Sequence, residues 1–182
     1  CRIFVRQCDN FAKEQSSLMI SAGIVVNIPK GIKAGAGNPE LQIVDADIKN
    51  PFAGELVINV GDAGITPSLQ NITVNLPKGS FVLAGRIQDV DDINIKNVVN
   101  MHFGDGVTET IVEPEVGIAI NTAKTVTITK KATVISNLDL VKTKNIEELN
   151  IDEGGKLVGT LEVLNAEVNV KGEEEGLFGE CK

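Results

Sequence analysis

One three-residue pattern constrains this chain more than any other feature: an aliphatic residue, an amide or hydroxyl, then a second aliphatic. It occurs as Val26-Asn27-Ile28, Ile58-Asn59-Val60, Ile72-Thr73-Val74, Ile93-Asn94-Ile95, Val126-Thr127-Ile128, Leu149-Asn150-Ile151 and Val168-Asn169-Val170. A strand alternates its faces, so both aliphatics point to one side and the middle residue to the other. If successive triplets stack, the aliphatics form a continuous inner column. The Asn and Thr side chains then form an outer row that can hydrogen-bond along the stack, as amide ladders do. The first positions advance by 32, 14, 21, 33, 23 and 19 residues, so a step near 20 recurs. Glycine follows within a few residues in "NIPKG", "NVGDAG", "NIDEGG" and "NVKG", where it supplies the positive φ of a sharp corner.

A short strand, a corner and another short strand that returns after about 20 residues describe one coil of a β-solenoid. The pattern therefore predicts an all-β chain, a single-stranded parallel β-helix of about seven coils. A β-sandwich, whose strands also alternate, is the alternative. The totals fit one domain: 182 residues lie within the ordinary single-domain range. Apolar residues make up 42%, enough to build a core. With six Phe and neither Trp nor Tyr, that core must be filled by Val, Ile and Leu, which suits thin stacked β layers.

The rungs divide the chain into three parts. Residues 1–17, "CRIFVRQCDNFAKEQSS", do not match them and are expected to cap the open N-terminal end, with Asp9 able to cap a short helix. Residues 18–172 are expected to form the solenoid, and the acidic residues 173–182 a C-terminal tail or cap. Two long steps contain "PKGIKAGAGNPE" (29–40) and "HFGDGVTETIVEPE" (102–115), both read as loops. Each long step is either one coil with extra residues or two coils with one triplet decayed. Insertions of this kind often gather on the binding face of a solenoid.

The rungs and Gly corners from Leu18 to Lys171 resemble the right-handed parallel β-helices of bacterial secreted and surface proteins. "DEGG", "GTLEV" and "VNVKG" in residues 149–172 resemble the coil segments of bactofilins, which polymerise without nucleotide. "LQNITV", "VDDINI" and "IEELNI" are similar to the core of leucine-rich repeats, although Pro77, Val98 and Gly154 stand where those repeats place Asn. The first resemblance implies an extracellular or cell-surface location and a structural, adhesive or partner-binding role without catalysis. It also implies an alternative, a carbohydrate-active enzyme or carbohydrate-binding module. The bactofilin likeness implies a self-assembling scaffold with end-to-end association.

Charge and hydropathy exclude other classes. A formal charge of −8, with three Arg and the Lys residues scattered, speaks against nucleic acid, which needs clustered cations and usually stacking aromatics. No apolar run approaches the ~18 residues of a membrane span. Beginning with Cys1, the sequence reads as a processed form of its chain. No phosphate loop appears, since "GIKAGAG" lacks the following Lys-Ser/Thr.

Candidate chemistry is sparse, and no catalytic set is expected. The candidate ligand-binding residues are Arg86, Asp89, Asp91, Asp92, His102, Asp105 and Glu109. His102 is the only histidine and falls in an expected loop, where such a residue is ordinarily a surface polar group. A glycosidase of this fold would need two or three carboxylates facing one groove, and Asp89, Asp91 and Asp92 beside Arg86 could supply them. Calcium suits the hard oxygens of Asp89–Asp92, or of Asp105 with Glu109, but no ion-binding loop motif is present and no cofactor is expected. A protein or glycan partner at the cell surface is the expected ligand class.

Cys1, Cys8 and Cys181 sit only at the two ends. About seven coils at ~4.8 Å per layer separate those ends by ~30 Å, whereas a disulfide needs Cα atoms within ~7 Å. Three arrangements are compatible: an acylated Cys1, a local Cys1–Cys8 bridge with Cys181 free, or a head-to-tail link between molecules. The local bridge is the favoured one. Mass spectrometry of a non-reduced tryptic digest should recover no intrachain peptide joining Cys181 to Cys1 or Cys8, and recovering one would argue against an elongated stack.

Overall fold

The structure, a computed structural model, describes residues 17–19, 24–27, 40–45, 49, 51–59, 69–88, 90–176 and 178–181. Residues 1–16 of the expected N-terminal cap, among them Cys1 and Cys8, and Ile28, Val60 and Asp89 lie outside the described residues, while Ser17 belongs to the first strand.

Twenty short strands and no helix make up the described residues. The first turns carry β1 (Ser17–Met19), β2 (Ile24–Asn27), β3 (Glu40–Val44), β4 (Glu55–Asn59) and β5 (Leu69–Asn75). Next come β6 (Ser80–Ala84), β7 (Arg86–Ile87), β8 (Val90–Asn97), β9 (Asn100–Phe103), β10 (Thr110–Val112) and β11 (Gly117–Ile120). The chain continues through β12 (Thr125–Ile128), β13 (Ala132–Ile135), β14 (Leu138–Asp139), β15 (Glu148–Ile151) and β16 (Lys156–Val158). It finishes with β17 (Leu161–Leu164), β18 (Glu167–Val170), β19 (Glu173–Glu175) and β20 (Phe178–Cys181).

Every strand pair is parallel, and the pairs sort into stacked faces. Face one stacks β1-β3-β5-β8-β11 and then, as a separate sheet, β14-β17-β20. Face two is continuous, β2-β4-β6-β9-β12-β15-β18, and face three stacks β7-β10-β13-β16-β19. The chain is a parallel β-solenoid, as the triplets predict. Five turns carry a strand on all three faces, from β6 to β20; the two before them are described on faces one and two only. The expected seven coils match the seven rungs of face two, not the number of complete turns. The stack also runs past residue 172, because β19 and β20 are rungs that pair with β16 and β17.

Burial follows the alternation. Val126, Ile128, Leu149 and Ile151 are buried on face two, and Ile72, Val74, Ile93 and Ile95 on face one. In-register pairing puts like on like: Met101 pairs with Val126, which pairs with Leu149, and Phe103 pairs with Ile128, which pairs with Ile151. Burying each such side chain contributes ~1.5–3 kcal/mol against leaving it in water. The triplets do not form one column, however. Those starting at 26, 58, 126, 149 and 168 lie on face two and those at 72 and 93 on face one. The step of 14 thus runs from face two to face one within one turn, and the step of 33 adds a crossing to a full turn. Val170 departs from the rule: it pairs with buried Ile151 yet is 44% exposed, with no further rung on face two among the described residues.

Corners need special backbone. Gly104 has φ +95°, and a Cβ there would collide with Thr129 Oγ1 and sit 2.7 Å from the Ala132 Cβ. Outer rows hydrogen-bond along the stack where the donors match. Asn169 Nδ2 donates to Asn150 Oδ1 at 3.0 Å, Asn100 Nδ2 to Ser80 Oγ at 3.0 Å, and Thr125 Oγ1 to Asn100 Oδ1 at 2.7 Å.

Two truncations separate column interior from column end. Ile151→Ala, at 0% exposure, should cost ~2–5 kcal/mol in urea unfolding, as large-to-small changes do in packed cores. Val170→Ala should cost less than about 1 kcal/mol, and equal losses for the two would show that the last rung is packed.

Candidate functional site

The residues singled out in the sequence come to rest on different sides of the stack. Arg86 begins β7 on face three, half-buried and paired in register with Ile111. Asp91 and Asp92 lie in β8 on face one, and His102 lies in β9 on face two. Asp105 and Glu109 occupy the corner between β9 and β10. Asp91 and Asp92 therefore share a face with neither Arg86 nor His102, because three consecutive strands of a solenoid turn three different faces to solvent.

His102 is not in a loop. It is the middle residue of a decayed rung, Met101-His102-Phe103, with both neighbours buried and the imidazole half-buried between Val82 and Thr127 of adjacent rungs. The expected loop 102–115 shrinks to a corner at 104–109, since Thr110–Val112 is β10. A histidine replaces the usual amide at the centre of this rung, and the flanking Met and Phe hide the triplet from an aliphatic search.

Asp105 builds its own corner. Its Oδ1 accepts the Val107 and Thr108 backbone N–H groups at 2.9 and 2.7 Å, and its Oδ2 accepts the Thr108 hydroxyl at 2.9 Å. Burial works to raise its pKa, but these hydrogen bonds outweigh it and hold the carboxyl below its ordinary value. Thr108 Oγ1 in turn receives Asn59 Nδ2 at 3.4 Å, tying the corner to β4. Both oxygens of Asp105 thus serve the turn. Among the described residues, no three His, Cys, Asp or Glu side chains gather where a metal ion could be held.

One arrangement with room for a ligand is on face one, where the sequence offers no single motif. Outer rows run Asn71–Asp92–Gly117 and Thr73–Asn94–Ala119 across β5, β8 and β11. The rows fall away at β11, because Gly117 has no side chain and Ala119 only a methyl. A Cβ built on Gly117 would meet nothing within 4 Å. The depression above has a volume of about 390 Å³, with Asn71, Thr73, Asp92 and Asn94 on one side and Val116, 76% exposed, at its end.

A second depression of about 470 Å³ adjoins it across β11, sharing Ile118 and Ala119 and bounded by Asp139, Lys142 and Lys144. It exists because face one is broken. β11 closes one sheet and β14 opens the next, and the two strands do not pair. The break is bridged further along by Thr143 Oγ1 donating to the Ile120 carbonyl at 2.7 Å and by Lys144 N–H donating to the Asn121 carbonyl at 2.8 Å. Within this region the side-chain oxygen Oδ1 of Asn94 is buried without a hydrogen-bond partner, a state that ordinarily costs ~1–3 kcal/mol. The sequence signal for the trough is the Gly-Ile-Ala of β11, a rung whose outer residues are the smallest available.

Compared with known proteins, the chain matches no family model, no curated protein and no solved structure. Its chemistry therefore has to be read from its own residues.

Two substitutions test this geometry. Burial lowers the His102 pKa below its ordinary value, against the opposing pull of the Glu55 and Asp152 charges. A depressed pKa favours the neutral form when folded, so the stability it carries is complete above the ordinary His value of ~6.5 and is lost as pH falls through the folded value. The melting temperature should fall between neutral and mildly acidic pH, and less so in His102→Asn; identical pH profiles would place the imidazole in bulk water. Asp105→Ala should cost about 1 kcal/mol or more through the freed Val107 and Thr108 N–H groups, read as faster amide exchange at 104–110.

Proposed function

We propose that this chain is a non-catalytic binding protein, a β-solenoid scaffold that presents face one to a partner outside the cell or at its surface. The observation that carries the reading is the trough over β11. It is an open, polar-walled depression in a face whose neighbouring rungs are in register, built from the smallest outer residues of the stack and from a break between two sheets. A rigid ladder suits such a role, because the wall strands β5 and β8 are each paired on both sides and keep their spacing without a partner.

The dispersal of Arg86, Asp92 and His102 over three faces favours binding over chemistry, since glycoside cleavage needs two carboxylates facing one bond. The style of rung and corner supports kinship with the β-helices of bacterial secreted and surface proteins, and with it the adhesive or structural role. The purified chain should co-sediment with cell-envelope fragments of its source organism. Gly117→Leu, which fills the trough where no atom stands in the way, should cut the bound fraction roughly tenfold, the effect of losing about 1.4 kcal/mol. Release of new chain ends from polysaccharides by the wild type, abolished in Asp92→Ala or His102→Ala, would replace this reading with an enzyme.

A further inference from the structure

We infer that face three is a self-association surface: a second copy of this chain packs against it face to face and antiparallel, about a two-fold axis running along β13. The inference is independent of the trough on face one, since the two surfaces share no residue.

Face three is apolar where face one is polar. Its strands alternate, so a residue between buried neighbours points outward. In β10 that residue is Ile111, between Thr110 and Val112. In β13 and β16 the outward residues include Ile135 and Val158, next to buried Val134 and Leu157. All three aliphatics are part-exposed, and Ile135 pairs in register with Val158. The corresponding outward positions of face one hold Asn71, Thr73, Asp92 and Asn94. Nothing in the stack requires these outer aliphatics, because the column beneath is already filled by Ile87, Val112, Val134 and Leu157. Val107, 76% exposed on the corner that leads into β10, adds apolar surface at the edge of the face.

Charge selects the occupant. β13 is the middle of five strands, with β10 and β7 on one side and β16 and β19 on the other. One outward row runs in register through Arg86, Ile111, Thr133, Lys156 and Glu173. Arg86 and Glu173 therefore stand two rungs, ~10 Å, to either side of the middle strand. Rotating a second copy about β13 exchanges β7 with β19, so that each Arg86 faces the Glu173 of the other copy. Ile135 meets Ile135 at the axis. Lys156 comes opposite Ile111, one outward position along the strand from Glu113, which Gln88 Nε2 holds at 3.2 Å. A parallel arrangement would instead set Arg86 on Arg86 and the glutamates on one another. Arg86 and Lys156 nearly balance Glu113, Glu173 and Glu175 on this face, in a chain of formal charge −8. Two such faces thus approach with little of the repulsion that the net charge brings elsewhere.

The contact is small. Five rungs make the face about 19 Å tall, so the buried area falls at the low end for specific pairs, below ~1,200 Å². The dimer should be weak, with a dissociation constant on the order of 100 µM.

The experiment is sedimentation velocity of the full chain, from about tenfold below that concentration to about tenfold above it. The wild type should pass from monomer to dimer and stop there, because a two-fold contact closes on itself. Ile135→Asp, present twice at the axis, should raise the dissociation constant at least about tenfold. Arg86→Glu and Glu173→Arg should each weaken the dimer about tenfold, since each reverses a charge in both facing pairs. Combined in one chain they should restore it, because the swap rebuilds those pairs, and this rescue decides the matter even if Ile135→Asp fails to fold. A wild type that stays monomeric, association that persists in folded Ile135→Asp, or a double variant no tighter than the single ones would overturn the inference. So would growth into larger polymers that Val170→Asp blocks, since the chains would then be joining through the end of the stack.

Discussion

Parallel, in-register pairing of the backbone is the constraint on which everything else rests. Once Thr125 pairs with Glu148 and Ile128 with Ile151, each position in a rung is forced over the equivalent position of the next. The inner column must then be apolar at every level, since one polar side chain there would be buried without partners on two neighbouring rungs. The same registry makes outer residues neighbours at strand spacing, which is why Asn150 and Asn169 bond to each other. Core and outer rows are two consequences of one ladder.

Registry also makes local departures consequential. Where two small outer residues fall together, as in β11, the face gains a hollow that adjacent rungs cannot fill, because their side chains are committed to their own rows. Where two strands fail to pair, as β11 and β14 do, the hollow deepens into a trough, and short links such as Thr143 to Ile120 keep the turn closed around it. The core beneath is unaffected: Ile120, Leu138 and Leu140 remain buried. A solenoid can therefore alter one face at one level while the stack persists, and that is how a repetitive scaffold acquires a particular place to bind.

The fold was legible in the sequence because its determinant is local. An aliphatic–amide–aliphatic triplet carries its own orientation, and four of the seven, at 72, 93, 126 and 149, show both aliphatics buried. The count of turns was less legible. Two faces write the same triplet, so spacing alone merged them into one series. The rung at Met101-His102-Phe103 is not legible in the sequence because its inner residues are a thioether and an aromatic, and a lone histidine carries no strand signal. Asp105 drew attention as a potential ligand group, yet its oxygens cap the turn that follows it. The candidate site was hidden for a different reason: Gly117 and Ala119 signal nothing by themselves.

The sequence by itself determined the all-β class, the inward and outward sides of most rungs and the material of the core, since these follow from period-two alternation and from an interior built of branched aliphatics. It determined as well that acidic charge and the lack of Trp and Tyr would limit what the surface could bind. Only the tertiary structure decided which rungs share a face, where face one breaks, and that Asp92, Asn94 and Gly117 adjoin although up to 25 residues separate them. Those facts depend on how many residues each corner consumes, a property of three-dimensional closure that no single rung encodes.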